Sequence, residues 1–201
     1  MNQIAGDVGG HPAFDALARM RDAAKDFSGT AFWTTSDTEL DDLLAEAMTL
    51  QNQFAAAVLQ LVADAHGRDR AGRAGAPSTQ AWLRRRFNLT PVEAKKQTCL
   101  AVALDRDLDT TRRALAEGEI SAAHAQVIAR TVEDLPEDVE PGVPQRAEAQ
   151  LVEWAGHFDP AQLTRQADPS GGGPGRRRSR RGAPARRGGE TGLVAAGAEL
   201  Y

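Results

Sequence analysis

The stretch SDTELDDLLAEAMTLQNQFAAAVLQLVADAHG, Ser36 to Gly67, decides the fold. Ser36 is followed three residues later by Glu39, the spacing of a capping box. Leu40, Leu43, Leu44, Ala47, Leu50, Phe54, Val58, Leu61, Val62 and Ala65 then recur at helical spacing along one face. The pattern predicts one long helix near 37–66, with Gly67 as the glycine that stops it. An apolar stripe of that length needs a partner, from this chain or another.

The same logic extends outward. PAFDALARMRDAAKDF predicts a short amphipathic helix upstream. Downstream, Ser78 caps TQAWLRRRF, with Trp82, Leu83 and Phe87 facing inward and Asn88 closing the helix. Thr90, Pro91 and Glu93 stand as N-cap, first helical residue and capping-box partner of the next helix. Its apolar positions are Val92, Ala94, Cys99, Leu100, Ala103 and Leu104. Gly118 ends a further helix, Ser121 caps another, QRAEAQLVEWAGHF forms the next and Asp159-Pro160 opens the last. No convincing strand pattern occurs. The expectation is an all-α, multi-helix bundle of about seven helices, in three parts. Residues 1–35 are an N-terminal segment with one short helix, 36–167 the helical domain, and 168–201 a disordered Gly/Arg-rich tail.

Composition agrees. Of 201 residues, 41% are hydrophobic and 5% aromatic, which favours helices packed through Ala and Leu. Apolar stretches are short and broken by charge, so no membrane span is expected, and the first residues lack the pattern of a secretory signal. The expected location is cytoplasmic. One cysteine, Cys99, makes neither an internal disulfide nor a cysteine-type zinc site; its place in the apolar pattern predicts a buried thiol.

The net charge of −4 conceals a pattern. Residues 36–66 carry six carboxylates and no Lys or Arg, whereas 67–113 carry eleven basic and five acidic groups. AWLRRRF, a short turn and TPVEAKK have the layout of a helix-turn-helix-like pair near 79–103. Arg84, Arg85, Arg86, Lys95, Lys96, Arg112 and Arg113 are the candidate nucleic-acid contacts, with double-stranded DNA as the implied partner. Arg68, Arg70 and Arg73 decorate the loop before them. At 100° per residue, three consecutive arginines cannot all face one groove. The plain alternative is that these cations solvate exposed helix faces.

Other chemistry is thinly supported. His11, His66, His124 and His157 are scattered, and structural roles are expected for them. No phosphate loop, nucleophile elbow or zinc-protease motif occurs, and no catalytic, metal or cofactor residue is assigned.

Three stretches, AWLRRRFNLTPVEAKK, TTRRALAEGEISAAHAQVIART and AEAQLVEWAGHFDPAQLTRQA, are similar in order and spacing to the actinobacterial domain of unknown function 222. The run Gly118, Ile120, Ser121, His124, Ala125 and Ile128 is the most distinctive. The resemblance covers roughly 36–167. It implies a DNA-associated setting, because such domains typically precede an HNH endonuclease module. An HNH site needs clustered His and Asn around a metal, and this sequence has no such cluster, so the nuclease activity is not carried over. The tail from residue 168 is expected to be a frameshift product in place of the usual continuation. The resulting expectation is a non-catalytic, DNA-associated helical module. A helical interaction module that self-associates through the Leu40–Ala65 face is the alternative.

Overall fold

The structure, a computed structural model, describes residues 10–136 and 139–167. Among them are nine α-helices and no strand: α1 Pro12–Ser28, α2 Asp37–Gly67, α3 Arg70–Arg73, α4 Thr79–Phe87, α5 Pro91–Arg106, α6 Asp109–Glu117, α7 Ala122–Glu133, α8 Val143–Ala155 and α9 Pro160–Ala167. A single 3-10 turn, Phe32–Thr34, precedes α2. The fold is the expected all-α bundle. The one-turn helix α3 stands where the sequence suggested only a polar loop. The Gly/Arg-rich tail lies outside the described residues.

Local caps set the helix starts. Ser36 with Glu39 and Thr90 with Glu93 form complete capping boxes. Ser78 accepts from the Ala81 N–H, and Asp159 accepts from the N–H groups of Ala161 and Gln162. One expectation needs correcting. Gly67 is the last residue of α2 and is not the left-handed stop; the reversal falls at Asp69, with φ 48°. The Asp69 carboxylate also accepts from the Gly72 N–H, so it starts α3 as it ends the connection.

The core gathers around α5, which packs on α2, α4, α6 and α7, while α8 and α9 close over α6 and α7. Leu83, Leu100, Leu104, Leu115, Ile120, Ile128, Leu151 and Leu163 fill it. Each such fully buried side chain contributes about 1.5–3 kcal/mol.

The long helix meets the bundle through a face that overlaps the expected stripe only at Val62. Ala56, Leu59, Val62 and Ala63 of α2 turn toward the core, which also takes in the buried Ala94, Ala101 and Ala114 of α5 and α6. Of the ten apolar residues read from the sequence as its stripe, Val62 is buried, four are partly buried and five are exposed. Leu40, Leu44, Leu50, Phe54 and Leu61 are exposed, Leu44 at 55% and Leu61 at 61%. Helix α1 buries no residue and makes no extended contact with any other helix.

Several helix ends are capped across the fold. Leu108, at the N-cap of α6, offers no side-chain bond. The buried Glu148 of α8 replaces it, accepting from the Thr111 N–H at 2.7 Å and the Thr111 hydroxyl at 2.9 Å. At the other end of α6, Asn52 and Gln53 of α2 donate to the carbonyls of Gly118 and Glu117. Gly118 has φ +84°, and a Cβ there would lie 2.6 Å from the Thr49 side chain. Both facts require glycine.

Candidate nucleic-acid interface

Helices α4 and α5 are joined by Asn88, Leu89 and Thr90, and Asn88 takes the left-handed conformation that turns the chain. The two helices pack against each other, and Leu83 and Ala94 both lie in the core. The two helices and the tight connection that the sequence predicted are both present.

Arg84, Arg85 and Arg86 occupy the last turn of α4, and all three are exposed. Cations suit that position, because the helix carbonyls point toward it. On α5 the neighbouring helices cover most of the circumference. Of its exposed residues, Val92, Lys95, Lys96, Cys99 and Arg106 fall within an arc of about 100°, at 100° per residue, with the exposed carboxylates Glu93 and Asp105 on either side of it. Among the described residues, none of Arg84, Arg85, Arg86, Lys95, Lys96 and Arg106 forms an ion pair. Arg106 was missed in the sequence. The signal was there: it lies eleven residues beyond Lys95, three helical turns along the same strip.

Arg112 and Arg113 are also exposed, but both pair with Asp109 one turn earlier on α6. The Arg112 guanidinium, by hydrogen bond and charge, holds the Asp109 carboxyl below its ordinary range. These two arginines therefore form a locally compensated group, distinct from the α4–α5 cations.

Three side chains depart from expectation. Phe87 is 57% exposed and Val92 62% exposed, on either side of the turn. Cys99 is exposed too. Its helix is gripped by four others, and position 99 faces the remaining open strip. Trp82 is half-buried, stacks edge-on with Phe87 and lies beneath the Arg70 guanidinium, 5.8 Å from the ring centre. The result is an outer surface in which cations alternate with aromatic and aliphatic side chains. Such a surface can hold phosphates and lay flat apolar groups against sugar or base edges.

The remaining candidates resolve into structure. His124 stands third after the Ser121 N-cap. Its Nδ1 accepts from the Ser121 N–H, and its Nε2–H donates to the Phe158 carbonyl at 2.9 Å. Nδ1 thus closes the capping box of its own helix, and Nε2 fastens α7 to the connection between α8 and α9. His66 Nδ1 shares a 2.9 Å hydrogen bond with the Thr79 hydroxyl, tying the end of α2 to the start of α4. Among the described residues, no three His, Cys, Asp or Glu side chains come together to hold a metal. No described helix is long and apolar enough to cross a membrane. A cleft of about 450 Å³ opens between α2 and the α5–α6 junction, rimmed by Gln53, Gln60, Arg106, Asp109 and Arg112.

The described residues thus form an all-helical domain that carries a basic two-helix unit. A family model described as Domain of unknown function (DUF222) matches residues 41–181. The chain belongs to that family. No curated protein and no solved structure matches it.

Proposed function

We propose that this chain is a non-catalytic, DNA-associated module that meets duplex DNA through α4 and α5. One observation carries the reading: among the described residues, the cations of α4 and of the open strip of α5 form no ion pair, and they share one two-helix unit. Phosphate contact uses cations that are not tied up in ion pairs, and each contact releases counterions from the DNA.

Fluorescence anisotropy with labelled duplex, run across a salt series, tests it. Five phosphate contacts correspond to a slope of about −4.5 for log affinity against log salt. Arg84→Glu with Arg85→Glu should weaken binding and flatten the slope by about 2, in the same full-length background. The tail arginines are common to both proteins, so the difference reads α4 alone. Cys99 supplies a second readout. As the chain's one thiol, on the open strip, it should be shielded from alkylation by saturating DNA. An unchanged salt slope in the double variant together with unshielded Cys99 would remove α4–α5 from the interface.

A second reading, self-association, is favoured by one specific observation: the exposed leucines and Phe54 of α2. The two readings use different faces and are compatible.

A further inference from the structure

We infer that the exposed stripe of α2 is the seam of an antiparallel homodimer, in which α2 of one copy lies against α2 of a second copy. The inference rests on the self-association reading and adds the partner, the orientation and the register.

The seam is continuous and free of charge. From Leu40 to Ala65 it runs about 38 Å, at 1.5 Å per residue. Asp41, Asp42, Glu46 and Asp64 all project from other sides of the helix, and Gln51 is the only polar residue along it.

The spacing is symmetric about the point between residues 52 and 53. Reversing the helix about that point superposes Leu40 on Ala65, Leu44 on Leu61, and Ala47 on Val58. A two-fold interface demands this property, since each residue i that meets j must have j meeting i. Phe54 falls at the centre, opposite Gln51, leaving room for its large ring beside a smaller neighbour.

Charge selects the orientation. The first three turns of α2 hold Asp37, Glu39, Asp41, Asp42 and Glu46, with no cation. Just past the other end stand Arg68, Arg70 and Arg73 with the single carboxylate Asp69, and Arg68 also pairs with Asp64 on its own helix. Antiparallel pairing sets the acidic end of each helix beside the basic end of its partner, and the same reversal brings Asp37 to Arg68. Parallel pairing would gather ten carboxylates at one end, a like-charge arrangement that opposes association.

Two measurements on the full chain test this. Sedimentation should show a dimer, and Phe54→Glu with Leu61→Glu should give a monomer. Both residues are exposed in the protomer, so helicity and thermal midpoint in the monomer should be retained. A wild-type chain that is monomeric at high micromolar concentration overturns self-association, and with it this seam. The register is read by oxidative cross-linking in a Cys99→Ser background. Leu44→Cys mixed with Leu61→Cys should cross-link between chains, whereas each variant alone should not. A dimer in which Leu44→Cys cross-links to itself overturns the antiparallel seam while leaving self-association standing.

Discussion

At the scale of single residues, the most consequential side chain is one with no chemical task. Glu148 is buried and serves as the N-terminal cap of α6 from another helix. Glu148→Ala would leave the Thr111 N–H buried without an acceptor, an arrangement that costs about 2–3 kcal/mol. Urea denaturation should show a lower midpoint with an unchanged slope. Nothing local in the sequence announces this bond, because its partners lie 37 residues apart. The caps that were legible all act within three residues, where spacing alone specifies geometry: Ser36, Ser78, Thr90, Ser121 and Asp159.

Residue chemistry also fixes a pH dependence. The Thr90 hydroxyl and N–H donate to Glu93 and hold its carboxyl below the ordinary value of 4.5, helped by Lys96. The Ser36 N–H and hydroxyl do the same for Glu39. A carboxylate with a depressed folded-state pKa contributes stability above its ordinary pKa and loses it as pH falls through the folded value. Acidification through that range should therefore loosen the first turns of α2 and α5. Amide exchange at Glu93 and Ala94 should accelerate there, and Glu93→Gln should remove the response. Acceleration of equal size in the Gln variant would rule out the carboxylate as its source.

At the scale of elements, the basic unit and the compensated pair make a contrast that can be measured. Arg112→Glu with Arg113→Glu should lower DNA affinity less than Arg84→Glu with Arg85→Glu, because Asp109 already offsets the α6 arginines. Equal losses in anisotropy would place α6 in the interface as well. The positions of the cations were legible in the sequence, and the three- and four-residue spacing from Asp109 also showed their neutralisation to a reader who looked for it. The faces of the helices were less legible. Periodicity locates an apolar side of α2 but not which side the bundle takes. The bundle took the face with Ala56, Leu59, Val62 and Ala63, since alanines permit close approach, and left Leu40, Leu44, Leu50, Phe54 and Leu61 outside. Phe87, Val92 and Cys99 were misplaced inward for a related reason. How much of a helix is covered depends on how many neighbours it has, and that is a tertiary fact.

At the scale of the whole molecule, the bundle and its N-terminal helix differ in kind. Helix α1 buries nothing, and an isolated helix of its length is marginal in water. Removing residues 1–35 should therefore leave the thermal midpoint of the bundle unchanged at low protein concentration, by circular dichroism. A drop of several degrees would mean that α1 packs on the bundle after all.

The run Gly118, Ile120, Ser121, His124, Ala125 and Ile128 has a consequence for how such chains are compared. Each of its members is spent on architecture. Gly118 admits α2 against α6, Ile120, Ala125 and Ile128 are buried, and Ser121 with His124 clasps α7 to the far connection. A signature made of clasps and contact points certifies a scaffold and is silent about its cargo. Two proteins could share it to the letter and differ in everything they bind, so their activities are to be sought on the outward-facing strips, where this signature has no letters.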